Sequence, residues 1–92
     1  MTDAYAVERA LVLRAFAEKL RAAREHRGIS QETLARLADI HRTHIGAMES
    51  GRREPHLTML LILADVLGAD LLAGLPVPQE RRPATHRKGG KP

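Results

Sequence analysis

The sequence predicts an all-α fold, a compact bundle of five helices in one small domain. Three observations lead to this prediction. The 92-residue chain is rich in Ala, Leu and Arg, it has one Tyr and one Phe as its only aromatic residues, and glycines divide it into segments of helical length. It contains no cysteine, which excludes disulfide bonds and thiolate metal sites. A chain of this size hides only about 60–65% of its unfolded surface, so we expect a modest core.

The bounds of the helices follow from the residues that start and stop them. Ser30 and Asp70 are of the types preferred at N-caps. Gly28, Gly51 and Gly68 each suit the residue that ends a helix. The five predicted helices run from about Asp3 or Val12 to His26, from Ser30 to Ala38, from Arg42 to Ser50, from Leu57 to Leu67, and from Asp70 to Leu75.

Charge and composition divide the chain further. Residues 79–92 contain Pro and Gly but no large apolar side chain, so we expect a disordered basic tail. That tail carries five Lys or Arg and one Glu, which accounts for the whole net charge of +4. Residues 14–78 are the predicted folded domain, and residues 1–13 extend its first helix. Binding of nucleic acid by the folded part must therefore depend on where its charges lie.

The second and third predicted helices carry matching apolar faces. Leu34, Ala35 and Ala38 share one face of the second, and Ile45 and Met48 share one face of the third. Only residues 39–41 separate the two helices, which is typical of a helix-turn-helix. One residue of such a turn is often left-handed. We expect Asp39 to take that conformation, although glycine suits it better.

The segment "GISQETLARLADIHRTHIGAMESGRREPHLTMLLILADVLG", residues 28–68, resembles the Cro/C1-type (XRE) helix-turn-helix family. The resemblance extends over about residues 14–75 and implies a lambda-repressor-like fold. "HRTHIG" is similar to the same segment of small phage-type repressors and of controller proteins in restriction–modification systems. Three residues depart from the family pattern. Asp39 replaces the turn glycine, and His41 and His56 replace the Ser or Thr before the third and fourth helices.

The resemblance implies that the third helix lies in the major groove of double-stranded DNA. Four of its residues are then candidates for reading base edges: Arg42, Thr43, Gly46 and Ala47. Arg42 can make a bidentate contact to guanine, and Gly46 and Ala47 are small enough to let the helix approach closely. Five residues are candidates for phosphate contact and positioning: Ser30, Gln31, His44, Arg52 and Arg53.

Other interpretations of these polar residues stay open. The alternative for Arg42, Thr43, Arg52 and Arg53 is that they are solvated surface residues without a binding role. The same alternative holds for His41 and His44. The two histidines have helical spacing, but no neighbouring acid or Cys completes a metal-ligand set, so we expect no metal and no cofactor. No nucleophile–base pattern or phosphate-binding loop indicates an enzyme. The scarcity of aromatic residues argues against stacking on single-stranded nucleic acid.

The fourth helix, "LTMLLILADVL", is apolar nearly all round. We expect Leu57, Leu60, Leu61, Ala64 and Leu67 to face the core with Phe16, Leu20 and Ile29. A second apolar stripe of Met59, Ile62 and Val66 then remains, covered either by the N-terminal extension or by another subunit. We predict a symmetric homodimer whose interface contains Met59, Ile62, Val66, Leu71 and Leu72.

Together these features predict a sequence-specific, double-stranded DNA-binding transcriptional regulator, a repressor or autoregulator of a palindromic operator. The alternative is an adaptor or antitoxin-type protein that uses the same fold to bind a partner protein. The N-terminus lacks the basic region of a signal peptide, and Asp65 and Asp70 interrupt the most apolar stretch. We therefore expect a cytoplasmic, nucleoid-associated bacterial protein that does not enter membranes.

Overall fold

The computed structural model describes residues 3–76 and contains four α-helices in that range. They are α1 (Ala6–His26), α2 (Gln31–Ala38), α3 (Arg42–Glu49) and α4 (Leu57–Leu67). The described residues include no strand, so the all-α prediction is confirmed. None of these helices is long and apolar enough to cross a membrane. The predicted basic tail, residues 79–92, lies outside the described residues.

The predicted fifth helix is wrong, because the chain after α4 forms a turn. The Asp70 carboxylate accepts hydrogen bonds from the amides of Leu72 (3.0 Å) and Ala73 (3.1 Å), as a helix cap would. These two bonds favour the charged carboxylate and lower the pKa of Asp70 below its usual value. The chain then passes through Gly74 at φ 81° and reaches Pro76, which leaves no room for a helix to propagate.

The core lies where α3 packs against α1 and α2, with α4 behind α2. Its fully buried large side chains come from every helix and from the final turn: Leu20, Leu34, Ile45, Met48, Leu63 and Leu71. The predicted inner faces of α2 and α3 are confirmed, since their apolar members are all buried. The opposite face of α3 is therefore turned outward.

The predicted orientation of α4 is correct only in part. Leu67 is buried, and Leu60 and Ala64 pack against the core as predicted. Leu57 and Leu61, expected in the core, are 70% and 58% exposed. Leu63, which the prediction did not place, is completely buried, and Met59 and Val66 pack against the core instead of forming a second stripe. Apolar side chains surround α4 almost completely, so periodicity alone cannot tell which side faces inward.

An apolar surface remains exposed on α4 and the turn after it. Its members, here called the exposed leucine face, are Leu57, Leu61, Ile62 and Leu72. Two of them, Ile62 and Leu72, belong to the predicted dimer interface. Leu71 of that predicted interface is only 2% exposed and belongs to the core of this chain. Single exposed apolar residues are ordinary, whereas larger exposed apolar surfaces often mark interaction sites.

Candidate nucleic-acid interface

The turn between α2 and α3 sets the angle of the outward-facing helix. The Ser30 hydroxyl caps α2 by accepting the amide of Thr33 at 3.0 Å, as predicted. Asp39 ends α2 in the left-handed conformation at φ 58° and ψ 46°, which confirms its predicted place. The amide of Ile40 then donates to the Ala35 carbonyl at 2.9 Å and closes the turn.

The start of α3 is capped by a histidine rather than by a hydroxyl. His41 Nδ1 accepts the Thr43 amide at 3.2 Å, so His41 supplies the acceptor that Ser or Thr usually supplies. The bond fixes the tautomer of a neutral His41, with its hydrogen on Nε2. Arg42 and Thr43 follow directly and are both exposed. The polar end of α3 is therefore well formed despite its unusual cap.

Two small residues of α3 lie in different environments. Gly46 is half-buried beside α2, where an added Cβ would lie 3.8 Å from Gln31 Oε1. Ala47, predicted to face a groove, is only 7% exposed and belongs to the buried side of the helix. The exposed face of α3 therefore contains Arg42, Thr43 and Gly46 but not Ala47.

A buried carboxylate connects three parts of this region. Glu49, at the end of α3, is 5% exposed and pairs with Arg24 of α1 through Nε–Oε2 (2.6 Å) and Nη2–Oε1 (3.0 Å). Gln31 Nε2 donates to the same Oε1 at 3.0 Å. Arg24 also donates to the Ile29 carbonyl at 2.8 Å. The bidentate hydrogen bond with Glu49 raises the pKa of Arg24, so Arg24 stays charged.

Neither Arg24 nor Glu49 was among the residues predicted from the sequence. One signal could have indicated Glu49, since an acid in the last turn of a helix meets the negative end of the helix dipole and needs a cationic partner. The network also defines the position of Gln31. The Gln31 side-chain amide donates to Glu49 of α3, so the Gln31 side chain lies beside Gly46 at the start of α2.

The remaining predicted phosphate residues lie around the loop after α3. Arg52 and Arg53 are exposed, whereas His44 is half-buried. Burial and the charges of Arg53 and His56 lower the pKa of His44. Ser30 is occupied as the cap of α2. Within residues 3–76, no three His, Cys, Asp or Glu side chains are arranged to hold a metal ion.

In this protein α3 follows α2 after a tight left-handed turn and begins with an exposed arginine and threonine. This arrangement defines a helix-turn-helix protein. The helix-turn-helix family profile matches residues 20–72, which is more than half of the chain. The chain belongs to the XRE-type helix-turn-helix family of DNA-binding transcription regulators, which is not a class of enzymes. The resemblance seen in the sequence is therefore confirmed.

Three relatives illustrate this membership. The control protein C.SmaI of Serratia marcescens is 40% identical over 55 residues, which are 60% of this chain and 66% of that protein, just under two thirds. The crystal structure of the restriction–modification controller protein C.AhdI from Aeromonas hydrophila has a TM-score of 0.61 at 39% identity, covering 64% of this chain and 89% of that one. A hypothetical transcription factor from Neisseria, NHTF, has a TM-score of 0.65 at 35% identity, covering 80% and 84%.

Proposed function

We propose that this protein is a sequence-specific regulator that reads the major groove of a palindromic operator as a homodimer. The observation that carries the proposal is the division of α3 into two sides. Ile45 and Met48 are completely buried, which leaves Arg42 and Thr43 exposed at the end of the helix that enters a groove in this class of protein. The relatives named as control proteins support a role in controlling transcription of restriction–modification genes.

In this proposal Arg42 makes the main base contact. Its guanidinium can bond guanine O6 and N7 together, a contact worth about 1–3 kcal/mol of discrimination against other bases. Thr43 meets the neighbouring base edge. Gly46 has no side chain, so the middle of α3 can approach the groove closely.

Phosphate contacts fix how deeply α3 enters. Gln31 lies at the start of α2, with its side-chain amide bonded to Glu49. The backbone amides at the start of a helix favour phosphate, so we place the DNA backbone at this end of α2. Arg52 and Arg53 contact phosphates from the loop and add affinity without reading sequence.

The domain boundaries drawn from the sequence, residues 14–78, remain a prediction.

Selection of bound sites from a random pool of duplex DNA tests the proposal. The expected result is a palindromic site with one guanine per half that the Arg42→Ala variant no longer prefers. Arg36→Ala is the matched control, because Arg36 is also exposed but lies on α2. Equal site preference in the Arg42→Ala variant and the unaltered protein would remove Arg42 from the reading face.

A second candidate function has one observation in its favour. The exposed leucine face is an apolar surface that a different protein could cover as well as a second copy of this chain. An adaptor or antitoxin-type protein would bind its partner there. No enriched site from the random pool, together with a stable complex with another protein, would favour this function.

A further inference from the structure

The outward side of α1 carries a row of charges that the chain itself leaves largely unpaired. Residues three or four positions apart share one side of a helix, and four exposed residues at this spacing alternate in sign: Arg14, Glu18, Arg21 and Glu25. They are here called the α1 charge row. Within residues 3–76, Arg21 is the one member with an ion pair, in which its Nε lies 3.8 Å from Glu49 Oε1. Glu49 is bonded more closely by Arg24, and the Arg21 side chain stays 57% exposed, so Arg21 is available to a second partner.

The order of these charges makes the α1 charge row complementary to itself. When a second copy of α1 is placed antiparallel, with a two-fold axis midway between Glu18 and Arg21, each arginine lies opposite a glutamate of the other copy. Arg14 faces Glu25 and Glu18 faces Arg21, and the symmetry repeats each pair, which gives four intermolecular ion pairs. A shift by one turn would instead oppose Glu18 to Glu25, or Arg14 to Arg21. The charges therefore select both the antiparallel direction and one register.

The surface around the α1 charge row leaves space for a second helix. Ala17 lies opposite Ala22 of the other copy in the same arrangement, so no bulky side chain stands between the ion pairs. The charge row also lines an open groove between α1 and the end of α3, which Ser50 and Gly51 border on the far side. Packed helices lie about 8–10 Å apart, a separation that Arg and Glu side chains bridge. Charge order and shape thus favour the same occupant, a second α1.

We propose that the α1 charge row is a second self-association surface, which joins two copies of this chain through antiparallel α1 helices. This contact goes beyond the function proposed above, because it uses neither the reading residues of α3 nor the exposed leucine face. It is isologous, since both copies contribute the same residues. A chain that has this contact and the proposed leucine-face contact joins two dimers into an assembly of four chains.

The strength of the α1 contact depends on salt. Exposed ion pairs are individually weak, and dissolved ions screen them. An apolar contact at the exposed leucine face is not screened in this way. We therefore expect the α1 contact at low salt and high protein concentration, whereas in dilute solution at ordinary salt the leucine-face dimer is the main species.

Sedimentation velocity at low salt tests the contact. The Leu61→Glu and Ile62→Glu double variant isolates it, because its leucine face carries two charges. We expect this variant to form a dimer at high protein concentration and to dissociate when salt is added. Addition of Arg14→Glu should weaken that dimer by about tenfold, since the two Arg14–Glu25 pairs become pairs of like charge. In the otherwise unaltered chain, Arg14→Glu should reduce the four-chain species to a dimer.

An exchange of charges separates a specific contact from a general effect of charge. Arg14→Glu combined with Glu25→Arg keeps the net charge and re-forms the pairs in reverse, so it should restore the association. Arg36→Glu, at an exposed position of α2, makes the same change in net charge and should leave the mass unaltered. If Arg14→Glu leaves the association unchanged, or if the exchanged variant remains dissociated, the α1 charge row is not an interface. A double variant of the leucine face that is a monomer at low salt and high concentration would also overturn the proposal, while the proposed DNA-reading function would stand.

Discussion

At the scale of single residues, the two ends of α2 could be predicted from local pattern, whereas the DNA-contacting roles stay predictions. Ser30 and Asp39 lie where residue type and spacing placed them, because caps and left-handed turns depend on neighbours along the chain. The pairing of Arg24 with Glu49 could not be predicted this way. The two residues lie 25 positions apart, and only the packing of α3 on α1 brings them together.

Glu49 is the residue whose loss we expect to be most damaging. Glu49→Gln should lower the free energy of unfolding by about 3 kcal/mol, since Arg24 would remain in its partly buried place without a charge partner. Only one acceptor oxygen would remain at position 49, where two now accept from Arg24 and Gln31. Urea unfolding followed by circular dichroism measures the change, with Glu18→Gln at an exposed position of α1 as the control. A loss no greater than that of the control would show that the ion pair contributes little.

At the scale of elements, the helices whose two sides differ in polarity were predicted well. α2 and α3 each have one apolar and one polar side, so their buried faces followed from spacing. α4 is apolar on nearly every side, and its orientation is decided by contacts with α2 that the sequence does not display. The fifth helix failed because one carboxylate satisfies two amides in a turn as well as it would at the start of a helix.

The turn between α2 and α3 allows a test at this scale. Asp39→Gly should raise the free energy of unfolding by about 0.5 kcal/mol, because glycine reaches a positive φ without steric cost although it adds freedom to the unfolded chain. Asp39 also places a negative charge at the end of α2, where the helix dipole is unfavourable to it. Thermal unfolding compared with Asp39→Ala, expected to be less stable than the natural sequence, separates the two effects. A less stable glycine variant would show that the Asp39 side chain contributes favourably.

At the scale of the whole molecule, the sequence predicted an all-helical domain and its class but not which apolar residues stay exposed. The proposed dimer surface depends on which apolar residues the core leaves uncovered. The structure selects Leu57, Leu61, Ile62 and Leu72 as the exposed leucine face, whereas Met59 and Val66 are used within the chain. Two subunits joined there would present their reading helices as a pair. A palindromic site requires such a pair, because its half-sites lie about 34 Å apart.

Substitution of the exposed leucine face tests the proposed dimer. Leu61→Glu combined with Ile62→Glu should convert a dimer into a monomer, because two charges would enter an apolar interface without partners. Both residues are already exposed in the single chain, so we expect the domain to stay folded. Light scattering measures the mass, and Leu37→Glu, at a 49% exposed leucine of α2, is the control. A folded double variant that keeps the mass of a dimer would place the interface elsewhere.

The two-sided character of α3 has a further consequence for how such proteins diverge. The residues that hold the helix in place, Ile45, Met48 and Glu49, are separate from Arg42 and Thr43, which contribute nothing to the core. Exchanges at the outer positions can therefore accumulate without weakening the scaffold. We expect new operator preferences to arise by retargeting these two side chains alone, so that duplicated copies of the gene could acquire separate targets while sharing one architecture.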